Sequence, residues 1–255
     1  MISKLAGILS LSLLSFSALS QTTEPAKKTG RPDIPGTFTV ELGINRALNT
    51  PDDFTTGLWG SRSVNIYYQY ELRILKSRFS FVPGVGLSLE RFKWRNGQVL
   101  GYQREDNLFN EPILSTDTMH LFSMAQHQIP GLRKSQLVTN YVDVPLELRY
   151  TFNPDDPARS VKIGVGARVG YLYDAFNKLK MKQDGETMQI KDKQNFNLTR
   201  FRYGVFAKLS FGNFSLFGYY NLTPLFQDGK GLYSEKNVPF NELNTFTGGI
   251  SLSSF

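Results

Sequence analysis

From residue 37 onward, apolar residues recur at every second position rather than every third or fourth. Residues 37–45 place Phe38, Val40, Leu42 and Ile44 on one face and Thr39, Glu41, Gly43 and Asn45 on the other. The same alternation runs through residues 62–73, 79–90, 138–152, 161–173, 199–211, 214–222 and 243–252. A period of two sustained over such lengths predicts eight half-buried β-strands. The connections alternate as well. Short turns lie around Lys76-Ser77, at 153–157 and at Gly212-Asn213, whereas 46–61, 91–137, 174–198 and 223–242 are long. Tight turns at one end and long loops at the other describe an up-and-down barrel of the outer-membrane kind.

The aromatic residues sharpen this. Folding the strands up and down collects Phe38, Tyr70, Phe79, Phe81, Tyr150, Phe152, Phe211 and Phe214 at the turn end of the apolar face. Tyr171, Tyr173, Phe201, Tyr203, Tyr220 and Phe246 gather at the loop end, with Val, Leu, Ile and Ala between. Two aromatic girdles around an aliphatic belt suit a bilayer, because amphipathic rings favour its interfaces. A soluble barrel would turn its apolar face inward, whereas the girdled aliphatic belt here calls for lipid on that face. The expected fold is an all-β, eight-stranded antiparallel transmembrane barrel over 36–255, with periplasmic turns, extracellular loops and both termini periplasmic.

Residues 1–20 read as a secretory signal peptide: Lys4, a short apolar run, then Ala18-Leu19-Ser20. Residues 21–35 are polar and proline-bearing, and read as a periplasmic tether. Composition alone conceals this organisation. The 255 residues are 40% hydrophobic and 20% charged, with a mean hydropathy of −0.27. Those averages exclude a polytopic helical membrane protein and would pass for a soluble domain. The absence of cysteine excludes disulfides, thiolate metal sites and a thiol nucleophile.

The polar face predicts the interior. The acidic set is Glu41, Glu71, Glu90, Asp143, Glu147 and Asp174, and the basic set is Arg73, Arg149, Lys162, Arg168, Arg200, Arg202 and Lys208. Buried charges must pair or meet water, and eight strands enclose a space that side chains can fill. A plugged, salt-bridged lumen follows, with a narrow pore for small solutes as the competing expectation. Gly164, Gly166 and Gly170 lie on the inward face, where they leave room for charged neighbours.

The loops hold the candidate sites. Asp184-Gly185 is a hairpin signal, and pairing Leu179 with Ile190 and Met181 with Met188 makes this loop a ribbon. That register needs an irregular step, expected near Gln194-Asn195. Lys178, Lys180 and Lys182 then share a face that could meet lipopolysaccharide phosphates. The longest loop, about 96–136, carries both histidines, His120 and His127, with no metal-binding spacing. It also mixes Leu121, Phe122, Met124, Ile129 and Leu132 with polar residues, as a partner surface would. No catalytic, cofactor or metal motif is present. The remaining positive charge, +6 once Lys4 is removed from the +7 total (7 − 1 = 6), is read as spread over turns, rims and loops rather than gathered in one patch. Nucleic acid is not an expected partner.

The segment from Asn140 to Tyr150, NYVDVPLELRY, resembles a strand of the outer-membrane β-barrel family common in Bacteroidota and labelled PorT-like. Phe81-Val82-Pro83-Gly84-Val85-Gly86-Leu87, Phe201-Arg202-Tyr203-Gly204 and Leu222-Thr223-Pro224-Leu225-Phe226 are similar to other parts of it. The resemblance covers most of 36–255 and implies fold and compartment. Its label comes from a member associated with type IX protein secretion. Two roles therefore stand: a non-enzymatic envelope or docking protein, in contact with outer-membrane lipid and with other envelope proteins, or an accessory of a secretion or barrel-assembly machine.

Overall fold

The computed structural model describes residues 36–254 apart from 51–55, 96–97, 103–118, 124–130, 157–158, 184, 195, 228–231, 234–238 and 241–242. Residues 1–35, expected to be signal peptide and tether, lie outside the described residues.

Eight long strands form the wall: β1 (Thr37–Leu48), β2 (Arg62–Gln69), β3 (Phe79–Lys93), β4 (Leu132–Thr151), β5 (Val161–Gln183), β6 (Phe201–Phe211), β7 (Phe214–Asn221) and β8 (Asn244–Ser253). Each pairs antiparallel with the next in sequence. The last returns to the first, from Thr39 opposite Ser253 to Leu48 opposite Asn244, and closes the ring. Closure leaves no strand edge along the wall, which is what a sheet in hydrocarbon requires.

Burial alternates as the sequence pattern demands, most regularly along β6. Outward positions such as Leu42, Val165, Val205 and Leu216 are exposed, while inward Glu41, Asp143 and Arg168 are buried. Both girdles form cross-strand ring contacts. Phe38 meets Tyr68 at 5.2 Å and Phe79 meets Tyr150 at 5.0 Å at the turn end; Tyr171 meets Phe201 at 5.0 Å at the loop end. From Val161 to Tyr171 the strand rises about 33 Å, or about 25 Å along an axis tilted by roughly 40°, the height of an outer-membrane apolar band.

The two-residue turn between β6 and β7 is made at Gly212, whose φ of +57° costs a glycine little. The turn between β2 and β3 is less well matched. Leu75 and Lys76 both take positive φ there, and Leu75 is almost fully exposed.

Beyond the girdle at the loop end the wall continues, and its polarity inverts. On β3 the outward residues change from Val85, Leu87 and Leu89 to Arg91 and Lys93, while the inward ones change from Ser88 and Glu90 to Phe92 and Trp94. Phe92 and Trp94 join Leu137 of β4, Leu225 and Phe226 after β7, Leu243 before β8, and Leu100, Phe196 and Leu198 in one buried apolar cluster. This cluster caps the interior at the loop end. β5 has an extra residue at this level: pairing with β4 shifts between Tyr141–Leu172 and Asn140–Asp174. An irregular step lies there, at Tyr173; Asn195 lies outside the described residues, and the described residues of 193–200 form no strand, with Phe196 and Asn197 at positive φ. The bulge turns Asn177 inward and Lys178 outward. The Leu179–Ile190 and Met181–Met188 pairs of the ribbon are present, with Glu186–Asp192 as its second strand. Part of the longest loop is also stranded: Gln98–Tyr102 and Met119–Ser123 pair with each other, and Leu232–Tyr233 joins them.

Placing arginine on the lipid face should cost stability according to depth. Val165→Arg, at mid-belt, is expected to lose about 2–4 kcal/mol, and Val161→Arg, at the turn rim, about 1 kcal/mol or less. Urea titrations of the protein refolded into lipid vesicles would measure both. Equal losses would contradict the belt.

Candidate functional site in the barrel interior

The interior is built from the inward positions of all eight strands, and its charges are paired across the ring. Glu41 of β1 is reached from the opposite wall by Arg168 of β5, whose Nη2 donates to Oε2 at 2.9 Å. Lys208 of β6 lies 2.7 Å from Glu41 Oε1, and Asn65 Nδ2 donates to Oε2 at 2.9 Å. Lys208 also stands 3.8 Å from Glu147 of β4. Glu147 accepts from Arg149 Nε at 2.7 Å, and Arg149 Nη1 donates to Glu71 at 2.8 Å.

A second network lies nearer the loop end. Arg202 of β6 donates to Glu90 of β3 through Nη1 at 2.7 Å and to Asp143 of β4 through Nη2 at 2.7 Å. Asp143 also accepts from the Ser88 hydroxyl and from Tyr67 OH, the latter at 3.2 Å. Aromatic faces complete the desolvation of both guanidiniums. Arg202 lies 3.6 Å from the Tyr141 ring centre, and Arg168 lies 4.4 Å from Tyr219, 5.0 Å from Tyr67 and 5.7 Å from Phe206. A cation without water gains most from such faces. Tyr67 joins the networks, with its ring against Arg168 and its hydroxyl on Asp143.

Glycines make this packing fit. A Cβ on Gly164 would sit 2.4 Å from Glu147 Oε1, and one on Gly170 would sit 2.1 Å from Asp143 Oδ1. Towards the turn end the lumen opens into a polar vestibule of about 320 Å³, lined by Glu71, Arg149, Lys162, Gln69, Ser210 and Ser215 among others.

Of the predicted lumen charges, Glu41, Glu71, Glu90, Asp143, Glu147, Arg149, Arg168, Arg202 and Lys208 stand in these two networks, and Lys162 lines the vestibule. Three others stand elsewhere. Arg73 lies at the β2–β3 turn, where its Nε donates to Ser77 O at 2.8 Å. The wall of β6 begins at Phe201, so Arg200 falls outside it and is exposed at the loop rim. Asp174 follows the bulge and bonds Lys193 at 3.0 Å instead of facing inward. Strict alternation misplaces all three, because it does not hold at strand ends or across a bulge. The aromatic lining of Phe206, Phe217 and Tyr219 was missed, although each occupies an inward position that alternation itself defines.

Among the described residues no group of carboxylates and histidines could hold a metal. His120 lies on Met119–Ser123 opposite Gly101; His127 lies outside the described residues, as do Met124 and Ile129 of the proposed partner surface.

The model of the outer membrane protein beta-barrel domain family matches residues 16–227. The chain belongs to that family, and its compartment is the outer membrane. Among solved structures it is similar to Ail, the attachment invasion locus protein of Yersinia pestis, at 13% identity and a TM-score of 0.33, over 86% of this chain and 97% of that one. No curated protein matches it.

Removing one partner of the Arg202 network strands two buried carboxylates. Arg202→Met alone should cost about 3–5 kcal/mol. Adding Glu90→Gln and Asp143→Asn should recover most of that loss, since a neutral interior no longer needs the cation. Urea titration in vesicles distinguishes the two variants. Equal stability would show that the pairs do not hold the walls together.

Proposed function

We propose that the protein is a closed, non-enzymatic barrel that anchors its long loops at the cell surface, serving envelope structure or the docking of other envelope proteins. The single observation that carries this reading is the filled interior. Buried ion pairs join opposite walls at mid-height, and an apolar cluster follows them at the loop end. An ion entering from the vestibule would have to break Glu41–Lys208, then Arg202–Asp143, and then cross a dry apolar layer. Each step is costly where charges have no water to replace their partners. In this reading the loop end faces outside and both termini face the periplasm, as short turns and long loops arrange themselves in such barrels. The likeness of the segment from Asn140 to Tyr150 supports placing the chain among the PorT-like members of its family.

The closed state is tested by conductance. Reconstituted into a planar bilayer, the protein should give no sustained steps at moderate voltage in concentrated salt. Stable openings of uniform size would overturn the closed reading and favour a narrow pore.

A further inference from the structure

The outer wall above the loop-end girdle carries a band of cations. Their placement follows from register. Arg62 of β2 stands opposite Arg91 of β3. One row higher, Lys93 stands opposite Gln136 of β4, Gln136 opposite Lys178 of β5, and Lys178 opposite Lys191 of the ribbon. In the next row Lys134 stands opposite Lys180. The expectation that positive charge forms no single patch is therefore corrected. Residues distant in sequence are brought together by pairing, and the β5 bulge turns Lys178 and Lys180 to the same side as Arg91 and Lys93.

These cations stand apart from the described carboxylates. None of them forms an ion pair with a described residue, and Asp174 and Asp192 of the neighbouring strands are already bonded to Lys193 and Gln194. The band also has shape. The Leu58–Gly60 turn packs against the Lys93 side chain and leaves a groove of about 500 Å³ lined by Lys93, Arg95, Lys134, Leu58 and Trp59. Trp59 is 76% exposed at its edge, a placement that suits an indole at a membrane interface. Burial and the neighbouring charges of Lys93, Lys178, Arg91 and Lys180 hold the Lys134 ammonium below the usual lysine range.

We infer that this band binds the phosphate groups of glycolipid headgroups in the outer leaflet, with the groove between Lys93 and Lys134 as its centre and Lys178 beside it in the band. The inference rests on the reading that the loop end faces outside, because only then does the band lie level with outer-leaflet headgroups. Height and charge select this ligand over a protein partner. On β3 the cations begin at Arg91, the next outward position after Leu89, within reach of phosphates at the top of the acyl layer. The Lys178–Lys180–Lys182 stripe is one edge of this wider surface.

The test uses bisphosphoryl lipid A as the probe, added to the full mature chain in neutral detergent micelles and followed by native mass spectrometry. The unmodified protein should retain it at least about tenfold better than lipid A stripped of both phosphates. The combined Lys93→Gln, Lys134→Gln and Lys178→Gln variant should lose about tenfold, while Arg78→Gln with Arg159→Gln, at the turn end, should lose nothing. Equal retention of the two lipids by the unmodified protein overturns the inference, whatever the folding of the variant; so does equal retention by the triple variant. Orientation is read separately. The chain has no cysteine, so Glu186→Cys should react with an impermeant maleimide on intact cells. Failure to react overturns the outer-leaflet assignment and the surface orientation together, while lost phosphate selectivity with normal labelling overturns the lipid site alone.

Discussion

A strand crossing hydrocarbon has one face to give to lipid and must place everything polar on the other. Eight strands leave too little room for bulk water on that inner face. The pairing of Glu41, Asp143 and Glu90 with Arg168, Lys208 and Arg202 is therefore a condition for closing the ring rather than an addition to it. The partners come from opposite walls, β1 with β5 and β3 with β6. The Glu41–Arg168 and Glu90–Arg202 pairs therefore act as struts across the lumen. Tyrosine and phenylalanine faces replace the hydration that the guanidiniums lose, and glycines on β5 supply the space.

The same constraint explains the change of character at Glu90–Arg91. Once the wall rises above the acyl region its outer face meets headgroups and water. Carbon then belongs inside, where Phe92, Trp94 and Leu137 form an apolar cap, and charge belongs outside. One continuous strand can serve both media because side-chain alternation persists while the identities of the residues exchange faces. On β5 the exchange is helped by the bulge at Tyr173, which resets the phase before the ribbon begins. Closure of the lumen and the cationic outer band are two results of one inversion.

Much of this was legible in the chain. The period of two, the alternation of short and long connections and the two groups of aromatics identify strands, order and lipid-facing positions, because the bilayer imposes them locally, residue by residue. The charged lumen was legible to the same depth: alternation says which way Arg168 points. It does not say which carboxylate Arg168 meets, since that depends on barrel stagger and on a contact 127 positions away. Arg73, Arg200 and Asp174 were misplaced where alternation lapses, at a turn, before a strand begins and past a bulge. The basic band was missed for a related reason. Arg62, Lys93, Lys134 and Lys178 are far from one another in sequence and become neighbours only through cross-strand register.

The inversion itself is open to direct measurement along β3. Single cysteines placed at 85, 87, 89, 91, 92, 93 and 94 in this cysteine-free chain can be spin-labelled in vesicles. Their collision rates with oxygen and with a water-soluble nickel complex then report lipid and water. Positions 85, 87 and 89 should favour oxygen, 91 and 93 should favour nickel, and 92 and 94 should be shielded from both. Lipid contact at 91 and 93, or ready access of nickel to 92 and 94, would contradict the account.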